Sequence, residues 1–183
     1  MSLTLKQDAE FKAHDNYVTA VKFMPEKPML VTAGMDNIVR VYGKPNWKLM
    51  NTIQGHENSV NGIAFAPTDN YILTISTDKT LRKWRVRSGD ELWSVEAHKK
   101  TVSTIAVNPA GTIAATGSYD GKVKLWDTED GKELAVFGDI GKNVTTLAWM
   151  PDGEHLLGGG LGEDIFVWNV ESKELVQQFK AHE

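Results

Sequence analysis

Residues 112–127, TIAATGSYDGKVKLWD, have the pattern of two short β-strands joined by a tight turn. Asp120 and Gly121 supply the turn, because an Asp-Gly pair readily adopts the backbone angles of a short hairpin loop. Small, β-branched and apolar residues alternate on either side of it. A hairpin centred on Gly121 would place Thr116 opposite Trp126, close enough for the two side chains to touch.

The same pattern recurs along the chain at a fixed interval of 42 residues. The aromatic residues that close the hairpins keep this interval without slippage: Tyr42, Trp84, Trp126 and Trp168. The histidines upstream of the hairpins keep it too: His14, His56 and His98. A period of about 40–45 residues is typical of the blades of a β-propeller. We therefore predict a single domain or half-domain of four repeats, over residues 13–54, 55–96, 97–138 and 139–180.

Each repeat is predicted to contain four strands, and helical periodicity is absent. The first strand has apolar residues at both parities, as at Val102, Ile105 and Val107, so both of its faces are expected to be buried. The hairpin provides the second and third strands. The fourth strand, such as residues 133–137, is amphipathic, as an outer edge strand should be. An extra leading strand is predicted at residues 3–12, because the tetrapeptide FKAH at its end recurs at the end of the fourth repeat.

Composition and charge exclude several classes of function. The 183 residues include 20 basic and 24 acidic side chains, and this balance gives no reason to expect a nucleic acid or a membrane as the partner. There is no cysteine, so disulfides and thiol chemistry cannot contribute, which fits a cytoplasmic protein. The first ten residues lack the basic and apolar regions of a secretory signal. No apolar run approaches the roughly 20 residues that span a bilayer.

The repeat resembles the WD repeat of β-propeller proteins, and the resemblance covers essentially the whole chain. In that family a histidine opens the repeat, an aspartate stands at the hairpin turn, and a Trp-Asp pair closes the repeat. The chain has the aspartates 22 residues after each histidine: Asp36, Asp78 and Asp120. Only the third repeat closes on Trp-Asp itself, at Trp126 and Asp127. The resemblance implies an all-β propeller built from four-stranded antiparallel blades.

A histidine, a threonine and an aspartate recur together in the first three repeats. The sets are His14, Thr32, Asp36; His56, Thr74, Asp78; and His98, Thr116, Asp120. They could be taken for hydrolytic triads, but an enzyme does not need three copies of its active site. A structural network explains them better, because the carboxylate can accept from the imidazole, and the threonine hydroxyl can bond both the imidazole and the indole N–H across the hairpin. The hairpin-closing residues Tyr42, Trp84 and Trp126 complete the predicted network, and the WD-repeat resemblance implies the same network as a staple of the fold.

The fourth repeat has lost this polar set. Its equivalent positions are Ile140, Gly158 and Gly162, with only Trp168 retained, so no buried acid or imidazole is left without a partner. Residues 157–163, LGGGLGE, resemble a phosphate-binding loop, but such a loop opens a helix and usually brings a lysine, whereas a strand follows here. We interpret the stretch as a flexible turn. The histidines lie one per repeat without ligand spacing, so no metal, cofactor or catalytic residue is predicted.

Partner binding is expected on the face that carries the hairpin turns, as the WD-repeat resemblance implies. The residues beside the first strand and just before the aspartate point to this face. Four of them are large and are predicted to be exposed near the channel mouth: Tyr17, Met35, Tyr119 and Leu161. Aromatic residues in such positions are typical interface anchors.

The sequence therefore predicts a non-enzymatic protein-interaction scaffold. An enzyme that uses the propeller channel is the rival hypothesis, but no feature beyond the fold supports it. Four blades with the angles of the family would form an open arc, which leaves Val18, Val21 and Phe23 of the first blade exposed. Two arcs joined head to tail would give an eight-bladed homodimer ring. The alternative is that the chain is a segment or engineered half of a longer propeller, which has no function alone and assembles with other blades.

Overall fold

The computed structural model describes residues 10–25, 27–65, 70–137 and 140–181, and within them the chain forms sixteen β-strands and no helix. The strands of the first two sheets are β1 (Val18–Phe23), β2 (Met29–Gly34), β3 (Val39–Gly43), β4 (Lys48–Ile53), β5 (Val60–Phe65), β6 (Tyr71–Ser76), β7 (Thr80–Arg85) and β8 (Glu91–Glu96). Those of the last two are β9 (Val102–Val107), β10 (Ile113–Ser118), β11 (Val123–Asp127), β12 (Glu133–Phe137), β13 (Val144–Trp149), β14 (His155–Gly160), β15 (Asp164–Asn169) and β16 (Glu174–Lys180).

The strands form four antiparallel sheets, each of four strands paired in chain order. We call these sheets blades 1 to 4. The all-β class and the four-stranded blades predicted from the sequence are confirmed. The predicted leading strand lies outside the described residues except for residues 10–12, which are not in a strand. The last residue of the second FKAH tetrapeptide also lies outside the described residues. In the described part of the chain, no helix has the length and apolar character needed to cross a membrane.

The register of the hairpins differs from the predicted one. Thr116 pairs with Lys124, and Trp126 pairs with Ala114, so Thr116 and Trp126 are diagonal neighbours rather than direct partners. The hairpin is centred on Asp120, one residue before the predicted centre at Gly121. The N–H of Ser118 donates to the carbonyl of Lys122, and the N–H of Gly121 donates to the carbonyl of Ser118. Gly121 has a φ of 85°, the left-handed conformation that glycine adopts without a steric penalty.

The blades stack in chain order through three apolar layers. Each layer lies between two neighbouring blades. The earlier blade contributes the face with the odd-numbered residues of its second strand, and the later blade contributes the face with the even-numbered residues of its second strand. In the first layer Val31, Val39 and Val41 of blade 1 pack with Ile63 and Trp84 of blade 2. Equivalent layers join blade 2 to blade 3 and blade 3 to blade 4. Both faces of the two middle blades are thus buried, as predicted from the apolar residues at both odd and even positions of the first strands.

The two outer faces of the stack are apolar and exposed. In blade 1, Val21 and Phe23 are 54% and 62% exposed, whereas Ile63, which occupies the position of Val21 in blade 2, is buried. In blade 4, Phe179 is 41% exposed, whereas Phe137, one repeat earlier, is 2% exposed. No packing layer joins blade 4 to blade 1 among the described residues. The described blades therefore form an open arc, as the sequence predicts.

The glycine-rich stretch of blade 4 corrects one interpretation. Residues 157–160 are not a flexible turn but the greater part of β14, which pairs with β13 on one side and β15 on the other. A Cβ at Gly160 would overlap the carbonyl oxygen of Asn143, so the backbone of β14 approaches the preceding loop too closely for any side chain. The glycines reflect close packing, which periodicity alone does not distinguish from a loop.

Candidate functional site

The histidine, threonine and aspartate of blades 2 and 3 are joined by a continuous chain of hydrogen bonds. In blade 2, Nε1 of Trp84 donates to Oγ1 of Thr74 at 2.7 Å, and the same oxygen lies 2.7 Å from Nε2 of His56. Nδ1 of His56 lies 2.8 Å from the Asp78 carboxylate. Blade 3 repeats the arrangement with an indole-to-hydroxyl distance of 2.8 Å.

One arrangement of protons satisfies every group in this chain of bonds. The hydroxyl oxygen accepts from the indole and donates its own proton to Nε2, and the Nδ1–H of the imidazole donates to the carboxylate. Burial lowers the pKa of His98 against the opposing pull of Asp120. Burial alone would raise the pKa of Asp120, but the hydrogen bonds from the N–H groups of Lys99 and Lys122 and from His98 outweigh it and lower that pKa. In blade 3 the network therefore holds a neutral histidine beside an ionised carboxylate at neutral pH.

The central hydroxyls of the network are buried and fully bonded. The hydroxyls of Thr74 and Thr116 belong to fully buried residues, and each is already bonded to two partners. A substrate has no route to such an oxygen. Each carboxylate also binds the backbone: the N–H of Glu57 donates to Asp78, and that of Lys99 donates to Asp120. These bonds fix the start of each blade to its hairpin turn.

Blade 1 carries a variant of the network. His14 bonds Asp36 and Thr32 at 2.8 and 2.7 Å, but the hydroxyl of Tyr42 donates to the carbonyl of Ala13 instead of to the threonine. Tyr42 thus departs from the role predicted for it, because its hydroxyl extends beyond the position of an indole nitrogen. Arg40 donates to Asp36 at 2.7 Å. Burial raises the pKa of Asp36, but the bonds from Arg40 and His14 outweigh it and lower the pKa to about 2.

Sequence reasoning missed the basic residue of this network, although the sequence carries a signal for it. Basic residues stand two positions before the hairpin-closing aromatic residue in the first three repeats: Arg40, Arg82 and Lys124. The fourth repeat has Phe166 there. Arg82 donates to Glu91, and Lys124 to Glu133, so these residues tie the third strand to the fourth in their blades.

Blade 4 replaces the polar network with aromatic packing. Trp168 stacks between Phe137 and Phe166, with ring centroids 5.5 and 5.9 Å apart. A Cβ at Gly158 would lie 2.7 Å from Cζ3 of Trp168, so the indole ring fills the space that the threonine occupies in the other blades. Ile140, which replaces the histidine, packs against the apolar layer between blades 3 and 4.

The predicted partner-binding residues lie on the edge of the arc that carries the aspartate turns. A backbone bond places each of them: the N–H of Met35 donates to the carbonyl of Tyr17, and the N–H of Tyr119 donates to that of Thr101. Tyr17, Met35 and Tyr119 line one depression of about 500 Å³ that extends across blades 1 to 3. Leu161 is exposed on blade 4 at the equivalent position, held by a bond to Asn143, but it does not line the depression.

The polar residues on the floor of this depression are engaged in bonds between blades. Thr19 donates to the carbonyl of Val60, and Asn61 and Ser103 donate to the equivalent carbonyls of the next two blades. Each donor is the second residue of the first strand of its blade. It bonds the carbonyl of the first residue in the first strand of the next blade. These side chains therefore lock neighbouring blades together and leave the large residues of the rim as the free surface.

Among the described residues, no three histidine, aspartate or glutamate side chains are grouped as metal ligands would be. The fold and the repeated network together define a β-propeller of histidine–aspartate-stapled blades. A family model described as WD domain, G-beta repeat matches residues 5–43, 47–85, 89–127 and 131–169. The chain belongs to this family. No curated protein matches the chain.

The matched repeats are offset from the blades. A match such as residues 47–85 begins at the fourth strand of one blade and ends with the third strand of the next. The sequence repeat therefore crosses a boundary between blades and links each sheet to its neighbour.

Proposed function

We propose that the chain is a non-enzymatic protein-interaction scaffold that binds a protein partner across the depression lined by Tyr17, Met35 and Tyr119. The exposure of these three residues carries the proposal. Tyr17 is 75% exposed, and backbone hydrogen bonds hold the segments that carry all three residues. Exposed aromatic side chains around a concave surface are characteristic of interface anchors.

The test replaces Tyr17 or Tyr119 by a photo-crosslinking phenylalanine analogue in the cells that produce the protein. A partner should be captured at both positions, and the Met35→Ala substitution should weaken that capture. The same analogue at Leu92, an exposed apolar residue of an outer strand, is the matched control and should capture no such partner. Equal capture at Leu92 would contradict the proposed site.

We also propose that two copies close into an eight-bladed ring, each copy being a half-domain. The three internal layers pair the two kinds of blade face that are left exposed at the ends of the arc. Val21 and Phe23 at one end would contact Ile165 and Phe179 at the other. The polar link between blades would extend as well, because Thr145 is equivalent to Thr19 and is exposed, so it could donate to the carbonyl of Val18 in the second copy.

Phe11 competes with this closure. The ring of Phe11 lies 4.8 Å from that of Tyr42. Three repeats later, the equivalent pair is Phe137 and Trp168, whose rings lie 5.5 Å apart. Phe11 therefore occupies the place that Phe179 of a second copy would take. Ring closure requires Phe11 to leave this place, and the strength of the dimer depends on that exchange.

Light scattering coupled to size exclusion tests this assembly. We expect a mass near twice 20.3 kDa for the chain, a shift toward the monomer for Phe179→Asp, and a shift toward the dimer for Phe11→Ala. Val136→Asp, at an exposed site away from both end faces, is the control and should leave the mass unchanged. A monomer at all concentrations, or a dimer that is insensitive to Phe179→Asp, would contradict the ring.

A further inference from the structure

A groove between blades 1 and 2 opens on the edge opposite the aspartate turns. It has a volume of about 390 Å³ and is lined by Met29, Val41, Met50, Asn51, Val86 and Arg87. We call it the first-junction groove. Its volume lies within the range of about 300–1,000 Å³ of ligand pockets, and its lining is mainly apolar.

The equivalent place between blades 2 and 3 is filled by the chain itself. Trp93, one repeat after Asn51, donates its indole N–H to the carbonyl of Glu129 at 3.0 Å. Lys83, one repeat after Val41, lies over the ring of Tyr71 at 3.8 Å and donates to the carbonyl of Thr128. At the first junction these bulky side chains are replaced by smaller ones, so the same backbone frame leaves an open groove.

We propose that the first-junction groove binds the indole side chain of a tryptophan from a partner protein, in the manner in which Trp93 fills the second junction. The site lies on the opposite edge from the partner-binding depression, so this inference does not depend on the proposed function. The chain's own Trp93 identifies the occupant, because the two junctions share one backbone arrangement and differ in this side chain.

The acceptor for the indole N–H is already present in the groove. The carbonyl of Arg87 is equivalent to that of Glu129 and now receives a long bond of 3.3 Å from Asn51. Asn51 also donates to the carbonyl of Val86 at 3.0 Å, so the carbonyl of Arg87 can exchange its weaker donor for an indole without leaving Asn51 unpaired.

The surfaces that would contact the ring also match. At the second junction the Trp93 ring lies against Gly131, where a Cβ would approach it to 2.9 Å, and the first junction has Gly89 at the equivalent position. Gly89 and Gly131 both have φ near 80°, and Gly89 lies against the amide of Asn51 as Gly131 lies against the ring of Trp93, so an indole in the groove would take the place of this amide beside Gly89. Met29 and Met50 contribute thioethers to the lining, and sulfur makes favourable contacts with aromatic rings.

The groove can be tested by labelling the methionine methyl groups of the full chain with ¹³C, because the chain has only six methionines. The probe is acetyl-Gly-Trp-Gly-amide, and the same peptide with leucine in place of tryptophan is its control. Ring currents should shift the methyl signals of Met29 and Met50, while Met35 on the opposite edge should not move. The leucine peptide should give no shift.

Variants at one position give opposite expectations. Asn51→Trp should fill the groove as Trp93 does and weaken peptide binding at least tenfold, whereas Asn51→Ala frees the carbonyl of Arg87 and should tighten binding several-fold. Gln177→Trp, the equivalent change in blade 4 and far from the groove, should leave binding unchanged. Signals from Met24 and Met35 report whether each variant is folded. Absence of a selective shift, equal shifts with the leucine peptide, or undiminished binding by Asn51→Trp would overturn the proposal.

Discussion

Removing the hydroxyl of Thr116 while keeping its shape is expected to disrupt the network of blade 3 more than the same change disrupts blade 1. Thr116→Val leaves two buried groups without a partner, namely Nε1 of Trp126 and Nε2 of His98, since both bond the same oxygen. Thr32→Val in blade 1 leaves only Nε2 of His14, because Tyr42 bonds a backbone carbonyl instead. The two variants therefore differ by one lost indole bond.

The magnitude follows from the number of groups left unpaired. A buried donor or acceptor without a partner costs about 1–3 kcal/mol. Thr116→Val should thus lower the free energy of unfolding by roughly 2–6 kcal/mol and Thr32→Val by roughly 1–3 kcal/mol. In a domain of this size each kcal/mol lowers Tm by about 2–4 °C, so the two melting points should be well separated.

Urea unfolding followed by circular dichroism measures both variants against the wild type. Thr116→Ser, which retains the hydroxyl, is the matched control and should recover much of the loss. The double variant Thr116→Val with Trp126→Phe should show that the indole and the hydroxyl are coupled, because their effects will not add. Equal losses for Thr116→Val and Thr32→Val, or no recovery with serine, would refute the shared-oxygen argument.

Three further outcomes are expected. First, the lowered pKa of His98 means that its contribution to stability is complete above the unfolded value of about 6.5 and declines as the pH falls toward the folded pKa. The contribution of Asp120, whose pKa is also lowered, declines only below about pH 3.9. Urea midpoints measured at pH 7.5, 5.5 and 3.5 should therefore fall in two stages. His98→Gln should remove the first stage, between pH 7.5 and 5.5. Second, Gly160→Ala should destabilise the fold strongly because its Cβ would overlap a backbone carbonyl, whereas Gly159→Ala has ordinary contacts and should be tolerated; thermal melts that rank them the other way would contradict the packing of β14. Third, hydrogen exchange should be fastest in β16, the exposed outer edge strand of blade 4, and slow in β10, an inner strand of blade 3; equal protection of the two strands would contradict these positions in the sheets.

The fold was predictable because its signals repeat. A single Asp-Gly turn or a single histidine carries little information, but the interval of 42 residues places every blade at once. The apolar residues at both parities of the first strands, as at Ile63, indicate burial on two faces, and the apolar layers bear this out. The same pattern in blade 1 indicates a second apolar face, and among the described residues no blade packs against Val21 and Phe23 of that face.

The details that sequence reasoning missed depend on backbone geometry rather than on side-chain pattern. The predicted centre of the hairpin at Gly121 is wrong by one residue, because the hydrogen bonds of Ser118 centre the turn on Asp120 and move Trp126 to a diagonal position. The glycines of β14 were misread as a turn because their role is to let one backbone approach another. Likewise, the first-junction groove arises because Asn51 stands where the next repeat has Trp93. The sequence alone does not show that these side chains lie between blades.

The changes in blade 4 show how a buried polar network is lost. Retaining the histidine without the threonine, or the aspartate without the histidine, would leave an unpaired group in an apolar layer, and such half-satisfied networks are less stable than apolar packing. Ile140 and Phe166 replace the imidazole and the basic side chain together, and Gly158 admits the indole into the vacated space. Blade 4 is therefore a repacked blade and not an eroded one. Blades 1 to 3 keep the histidine–aspartate bond, and blade 4 relies on aromatic stacking in its place.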